Sequence, residues 1–474
     1  MPPSESKLNR WIVTAAVLAA LTVLWAELLR PPVVGLADNG DYQRVMAWAG
    51  LDHTTDVHDE RYFSFLRTTY RILPLGSTRG GYLSSEALLA LAARFLATAV
   101  GAGTIFDLRV LAAIHIVLYV LAFGLLLRAA RYLEPAAQLA AAVLLVFFFT
   151  DIGYIGPFNS FYSQTASLLF LMLTAALAAE AIARMELSGA RLVLFYVCAA
   201  GFVTSKPQEA IQGPLLALLG MRLAGVGRRG AAKKPAVWLA LALCAVSVWY
   251  GRRTPMALRE AALYQVVFYE VLPHSPDAAA DASALGLDPA WLRYSGTDAF
   301  EPDSPLLDPA FREGLLARVG YRKVAAFYLH HPGRAVERLG RISTKIWSLR
   351  PSYGNLERSA EHPTRTLTRR DAAWSRWRLR LFGAFPITAL GVLFVGNAAA
   401  ALGTWRRSSP RGRRFRETVL AAILMSATAF IVCVLTNAPP DFSRVFYIAE
   451  ALCDLILAAD AAWLVQSIAQ RARA

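Results

Sequence analysis

The sequence is poor in cysteine and in charge, and it lacks the short motifs of soluble nucleotide-using enzymes. Its four cysteines all lie within apolar stretches, which argues against a disulfide framework and against a Cys-ligated zinc site. The chain contains no Walker A sequence, no Gly-rich dinucleotide fingerprint and no GxSxG elbow. Cytoplasmic nucleotide chemistry therefore has no support in the sequence.

Long apolar blocks take the place of these features. Of the 474 residues, 56% are hydrophobic and only 18% are charged, and the mean hydropathy is +0.40. A bilayer core of roughly 30 Å needs about 20 apolar residues per helix. We therefore predict an all-α polytopic membrane protein with about ten transmembrane helices. The predicted spans are residues 11–29, 108–127, 136–149, 165–183, 192–203, 210–223, 236–250, 381–402, 419–435 and 445–465.

The net charge of +15 is explained by basic loops between these blocks, so no nucleic-acid partner is expected. Lys and Arg accumulate in cytoplasmic loops, and ten spans with an inside N-terminus place every basic cluster inside. We expect a multi-pass protein of the plasma membrane with both termini cytoplasmic. The clusters are Arg128/Arg131, Arg184/Arg191, residues 222–234, residues 406–416 and Arg471/Arg473.

Two long segments then lie outside. The first loop (residues 31–104) includes the stretch 82–103, whose polar residues favour an amphipathic or re-entrant helix rather than a further span. The long segment (residues 252–378) has helical apolar spacing in its second half. We predict three parts: an N-terminal transmembrane module at 1–251, the long segment, and C-terminal transmembrane helices at 379–474.

The first span is followed by Asp38, Asn39, Gly40, Asp41 and Tyr42. Asp-Asn-Gly is a turn sequence, so a solvated turn explains the pattern. Two carboxylates at the edge of a membrane also suit a general base or metal ligands. A divalent cation stays open as a cofactor, because two carboxylates alone do not define a metal site.

The third span ends at Asp151, and the fourth begins among Asn159, Ser160, Tyr162 and Gln164. Helix capping by Asn159 or Ser160 is the simpler explanation. One cap does not require so many hydrogen-bonding side chains, so these residues are also candidates for lining a substrate cavity.

Two cations stand on the predicted outer face. Lys206, with Gln208 beside it, occupies the tip of a tight helical hairpin, and Arg444 begins the last span next to Asp441. Snorkelling of Lys206 and an Arg444–Asp441 pair are the simpler readings. Binding of a phosphate is the functional one, since both side chains suit that ligand. Ionisable residues at a membrane are functional candidates by default.

This pattern resembles the bacterial GT-C glycosyltransferases, which take sugars from polyprenyl phosphates. The resemblance rests on acidic residues after the first span, a polar patch at the fourth, a Lys at the fifth and a long segment after the seventh. A closer likeness is to glycan-biosynthesis hexose transferases with an Asn-Gly-Asp-aromatic motif. The matching stretches are 39–42, 159–162, 264–268, 285–287 and 327–332. Such relatives often have Glu where this chain has Gln164, which removes an acid from that position.

The resemblance implies a hexosyltransferase that acts on the outer face of the membrane, generally with inversion. Its partners would be a lipid-linked sugar donor and a glycan or lipid acceptor. Asp41 would be the general base, with Asp38 as binder or alternative base, and Lys206 and Arg444 would stabilise the leaving phosphate. A transporter or flippase of a lipid-linked glycan is the main alternative, and a lipid-phosphate phosphatase or ligase is a third. The expected substrate-binding residues are Asn39, Tyr42, Asp151, Asn159, Tyr162, Gln164, Lys206, Gln208, Asp441 and Arg444.

Overall fold

A computed structural model gives the fold of most of the chain. Helices dominate it, and the predicted class, an all-α polytopic membrane protein, is confirmed. The structure describes residues 7–78, 80–101, 103–225, 233–343, 345–359, 361–436 and 442–472.

The N-terminal half packs around one buried helix, α8, which contacts α5 and α9 along its length. Apolar side chains on all sides of α8 make it a central helix, whereas α1 and α11 bury only one face. The helices are α1 (Lys7–Leu28), α2 (Gln43–Ala49), α3 (His58–Arg61), α4 (Ser85–Ala99), α5 (Leu108–Ala130), α6 (Pro135–Phe149), α7 (Ile152–Ile155), α8 (Gln164–Arg184), α9 (Gly189–Val203), α10 (Gly213–Ala224) and α11 (Lys233–Arg252).

The rest of the chain forms the long segment and then a final helical group. Short helices with Asp or Ser caps, such as those at Asp288 and Asp308, fill the long segment. The helices are α12 (Met256–Tyr264), which continues as a π-helix (Gln265–Val271), α13 (Ala278–Leu285), α14 (Pro309–Arg318), α15 (Tyr321–His330), α16 (Pro332–Ser343), α17 (Ala373–Phe382), α18 (Pro386–Thr404), α19 (Pro410–Thr436), α20 (Phe442–Val445) and α21 (Tyr447–Arg471).

The number of spans is smaller by length and composition than the ten predicted. In the part of the chain that the structure describes, six helices are long and apolar enough to cross a membrane. The pair α6 and α7 is bent by 57° and makes a seventh if it counts as one broken span. Each predicted block lies on helix, but α9 and α10 have only 15 and 12 residues.

The first loop and the three residues that follow it form a small sheet that the sequence pattern does not indicate. Strands β1 (Leu51–His53), β2 (Thr69–Ile72) and β3 (Ile105–Asp107) pair in antiparallel order, with Leu51 opposite Ile72 and Tyr70 opposite Phe106. Strands of three or four residues are too short to show a period of two. Helix α4, at 15 residues, is about 22 Å long and does not reach across a bilayer core.

A strand-like piece of the long segment lies across the first loop. Gly35 N–H donates to the Asn355 carbonyl at 3.0 Å, and Ala37 N–H donates to the Gly354 carbonyl at 2.8 Å. The Gly354 N–H donates in turn to the Phe63 carbonyl at 2.9 Å. Buried backbone groups need such partners, and these bonds fix the residues that precede Asp38.

Candidate active site

Asp38 shapes the turn that carries the acidic motif. Its side chain is buried, and Oδ1 accepts the N–H groups of Gly40 at 2.7 Å and Tyr42 at 3.1 Å. Gly40 has a φ of 98°, a conformation that glycine adopts without strain. The turn interpretation of the motif is therefore correct for Asp38, whose Oδ1 is occupied by its own backbone.

His53 holds the other oxygen of this carboxylate. The His53 Nε2 lies 3.1 Å from Asp38 Oδ2, and both side chains are buried. His53 belongs to β1, so the unpredicted sheet positions it behind the turn. His53 was not predicted as a site residue, because only the pairing of three short strands brings it to Asp38.

The Asp41 carboxylate forms ion pairs with two arginines. Its Oδ1 accepts Arg44 Nη2 at 2.7 Å, and its Oδ2 accepts the Nη2 of Arg444. Burial opposes ionisation of Asp41, but Arg44 and Arg444 outweigh burial and lower the pKa of Asp41. Asp41 is thus a firmly ionised carboxylate, with 17% of its side chain exposed.

Asn39 and Tyr162 also contact the side chain of Arg444. Asn39 Oδ1 accepts Arg444 Nη1 at 3.0 Å and the Tyr162 hydroxyl at 3.1 Å. The Arg444 guanidinium lies 4.6 Å from the centroid of the Tyr162 ring, within range of a cation–π contact. Tyr42 packs edge-on against Tyr162 at 4.8 Å. These residues hold a cation next to Asp41.

Lys206 approaches the same place from the turn between α9 and α10. A 3₁₀ helix (Pro207–Gln212) makes this turn, and Lys206 precedes it in an extended conformation. Burial and the nearby Arg444 lower the pKa of Lys206, while Glu209 and Asp41 favour its charged form. No hydrogen-bond or ion-pair partner of the Lys206 side chain is found among the residues that the structure describes.

Two further residues of this turn differ in exposure. Gln208 is half-buried, whereas Glu209 is buried beside Lys206. The sequence analysis named Gln208 but not Glu209, although both stand in the same short stretch. We call the five charged residues Asp41, Arg44, Lys206, Glu209 and Arg444 the charged cleft.

The predicted residues of the third and fourth spans serve mainly to hold the chain in place. Asn159 donates through Nδ2 to the carbonyls of Leu28 and Val34, both at 2.8 Å. Asp151 caps α7 and accepts the Ser375 N–H at 2.9 Å. Neither side chain faces the charged cleft, and both tie helices together.

Gln164 and Asp441 complete the predicted set. Gln164 is buried and donates through Nε2 to the Arg444 carbonyl at 3.4 Å, so it helps to place α20. Asp441, with its predicted pairing to Arg444, lies outside the described residues.

A small cavity of about 20 Å³, room for about one water molecule, has Arg444 in its lining. Gln164, Arg350 and Asn355 line it. Arg350 donates to Asn355 Oδ1 at 2.9 Å and was not predicted. A separate apolar groove of about 640 Å³ runs between α1, α6 and α17 and ends at Asp151.

Both predicted carboxylates have other partners in this structure. Asp38 is occupied by His53 and two backbone N–H groups, and Asp41 is occupied by two guanidinium groups. Divalent cations need several free oxygen ligands. Among the described residues no group of three or more His, Cys, Asp or Glu side chains could hold a metal ion.

The charged cleft joins a fixed acid to three cations. Such cations can bind an anionic group and stabilise charge that develops on it. The cleft also contains two carboxylates in different environments, which is the arrangement that proton transfer requires.

One family model matches nearly the whole chain. It is described as the YfdI N-terminal transmembrane domain, and it covers residues 4–473. No curated protein matches the chain.

Two solved structures are similar to this chain at low identity. The archaeal oligosaccharyltransferase AglB from Archaeoglobus fulgidus, in complex with an inhibitory peptide and a dolichol-phosphate, aligns with 95% of this chain and 50% of its own, at 16% identity and a TM-score of 0.39. The Archaeoglobus fulgidus oligosaccharyltransferase tethered to an acceptor peptide with the NVT sequon aligns with 94% of this chain and 49% of its own, at 17% identity and a TM-score of 0.38. This chain spans about half the length of these solved chains.

Proposed function

Because the chain belongs to the YfdI N-terminal transmembrane domain family, and because its charged cleft suits a lipid phosphate, we propose that it is a glycosyltransferase. It moves a hexose from a polyprenyl-phosphate donor to an acceptor hydroxyl of a glycan or lipid. The reaction takes place in the plasma membrane, on the face opposite the cytoplasmic termini. The observation that carries this proposal is the meeting of Asp41, Lys206 and Arg444, which come from three distant parts of the chain.

The cations of the cleft are the donor-binding part of the proposal. The leaving group is a lipid phosphate, which gains negative charge as the bond to the sugar breaks. Arg444 and Lys206 stabilise this charge, and a half-buried site strengthens the effect because water screens it less. Arg444 offers two nitrogens in a fixed plane, which matches a phosphate better than a point charge does.

The acceptor part of the proposal needs a carboxylate. Asp41 is the candidate by position, since it borders the cations and opens to solvent. Asp38 is unsuited, because its oxygens are held by His53 and by the turn. Arg444 binds both Asp41 and the incoming phosphate. Donor binding therefore weakens one of the two ion pairs that Asp41 forms with arginines. Attack on the sugar from the face opposite the phosphate gives inversion.

The lipid tail of the donor requires an apolar surface at the membrane. The groove between α1, α6 and α17 offers one, with Trp11, Phe147 and Trp374 along its wall. Its polar end at Asp151 lies next to Gly153, which lines the small cavity that Arg444 also lines. The tail and the head group of one lipid would therefore reach adjacent surfaces.

The proposal is tested in membranes that contain the full chain. Membranes are supplied with a panel of polyprenyl-phosphate hexoses and an envelope-glycan extract, and products are analysed by mass spectrometry. A gain of one hexose on the glycan supports transfer, and the Asp41→Asn variant, expressed at the same level, should lose it. If the lipid-linked sugar crosses the membrane unchanged and no glycosidic bond forms, the protein is a transporter. If free sugar is released, it is a hydrolase.

A further inference from the structure

We propose that Glu209 is a catalytic residue of this cleft, the carboxylate that takes the proton of the acceptor hydroxyl, while Asp41 anchors the two arginines. This role rests on the proposed function, since it assigns a step of the same transfer. It differs from the position-based assignment, which gives the proton to Asp41.

The contacts of the two carboxylates separate their roles. Both oxygens of Asp41 accept hydrogen bonds from guanidinium groups. Glu209 is only 6% exposed, and its side chain has no hydrogen-bond or ion-pair partner within the described part of the chain. Its own N–H donates to the Lys206 carbonyl at 3.0 Å, which fixes the backbone of the turn. A buried carboxylate without a partner is costly, and such a group is a candidate for work on a ligand.

The charges around Glu209 are few and can be named. Lys206 lies three residues earlier on the same turn, and its charge acts on Glu209 as well as on Asp41. Cys433 faces it from α19. Helix α11 packs against the same turn and brings Tyr250, whose buried hydroxyl has no partner among the described residues. A single lysine therefore balances Glu209, where two arginines balance Asp41.

This difference sets the two acids apart as proton acceptors. Burial raises the pKa of Glu209 to about 7, although Lys206 acts in the opposite direction. Arginines lower the pKa of Asp41, although burial acts in the opposite direction. A general base works best when its pKa lies near the working pH. Pairs of acids with divergent environments mark the division of roles in acid–base catalysis.

The step balances without a further reactant. The acceptor oxygen forms a bond to the anomeric carbon as its proton passes to a Glu209 oxygen. The bond between that carbon and the phosphate oxygen breaks, and its electron pair leaves with the lipid phosphate beside Lys206 and Arg444. Glu209 then returns the proton to solvent. Above pH 7 most Glu209 is ionised and ready, and below pH 7 the ready fraction falls tenfold per pH unit.

The test is the pH dependence of turnover in the full chain in membranes, with the polyprenyl-phosphate hexose that the wild type uses. Lipid phosphate release and glycan modification are followed from pH 5.5 to 9. The wild type should lose activity below about pH 7, and this fall is the acidic limb of its pH profile. Glu209→Gln should lower kcat about 10²- to 10⁴-fold, and its pH profile should lack the acidic limb. Glu209→Asp should retain part of the rate, and its activity should fall at a different pH from that of the wild type. Glu313→Gln, an exposed acid of α14, is the matched control and should behave as wild type.

Folding is checked separately by the melting temperature and by its rise when polyprenyl monophosphate is added. Glu209→Gln should keep both. A Glu209→Gln variant with the wild-type kcat and acidic limb would overturn the role of Glu209, and so would a limb that disappears only in Asp41→Asn. Absence of transfer by the wild type with every donor would overturn the proposed function itself.

Discussion

The first loop and the turn at residues 204–212 supply the same kinds of side chain to one cleft, but they hold them differently. In the first loop, Asp38, Asn39 and Asp41 have their oxygens bonded to backbone N–H groups, to a histidine or to arginines. In the turn, Lys206 and Glu209 have no such partners among the described residues. The polar groups of the first loop are therefore already bonded before a ligand binds, whereas the charged groups of the turn can still bind one.

This difference has a physical basis in how each region is built. A three-stranded sheet, α4 and residues 353–356 surround the first loop, so many neighbours can satisfy its polar groups. The turn links two short helices, and its 3₁₀ helix leaves Lys206 and Glu209 beside apolar helices α11 and α19. Prearranged dipoles cost no reorganisation during a reaction, and unpartnered charges gain most from a bound anion or hydroxyl.

The largest effect is expected where the two regions meet. Arg444→Met removes a phosphate ligand and also one ion pair of Asp41, so transfer should fall by about 10³-fold. Arg444→Lys keeps the charge without the planar pair of donors and should recover part of the rate. The measurement is hexose transfer per unit of protein in membranes. An Arg444→Met protein with near-normal transfer would show that the two regions act independently.

A smaller loss is expected in the turn alone. Lys206→Met removes one cation from the leaving phosphate and should slow transfer by about 10²-fold. Because Lys206 has no described partner, the melting temperature should stay close to the wild type. The exposed Lys345→Met is a control of the same chemistry. A large fall in melting temperature for Lys206→Met would place Lys206 with the structural residues.

A substitution in the first loop should change stability more directly than it changes transfer. His53→Gln removes the buried partner of Asp38 and should cost about 1–3 kcal/mol of stability. The change in transfer should follow the unfolded fraction, because His53 lies behind the turn. Tryptophan fluorescence during thermal unfolding of the purified protein gives the stability. If His53→Gln abolishes transfer in a fully folded protein, His53 has a direct part in the reaction.

The smallest effect is expected at the edge of the first loop. Tyr353→Phe removes the hydroxyl that Asn39 Nδ2 contacts at 3.3 Å. One long hydrogen bond contributes about 0.5–1 kcal/mol, and transfer should change less than threefold. The same unfolding and transfer assays apply. A tenfold loss of transfer would mean that residue 353 positions Asn39 more strongly than its distance indicates.

Much of this arrangement follows from the sequence. The basic loops predict that Asp41, Lys206 and Arg444 share one face, and the structure places the three residues in one cleft. The GT-C-like family that the motifs indicate agrees with the family match. Arg44 could have been found, since it stands three residues after Asp41 on the first turn of a helix. Glu209 stands three residues after Lys206 in the same way.

Other parts depend on contacts between distant residues and could not be read from local pattern. His53 reaches Asp38 only through the pairing of short strands. Asp151 and Asn159 look like cavity residues in sequence, but their partners, Ser375 and the carbonyls before the turn, lie far along the chain. By length and composition, six helices of the described chain pass as spans, or seven with the bent pair, because apolar blocks such as α10 have only 12 residues.

The most direct measurement is the fate of the donor in membranes that contain the wild-type chain, Asp41→Asn or Arg444→Met. Mass spectrometry follows the polyprenyl phosphate that is released and the hexose that the envelope glycan gains. The account predicts one lipid phosphate per hexose transferred by the wild type, and loss of both products in the two variants. Sugar that remains on its lipid in all three samples, or equal transfer by all three, would contradict it.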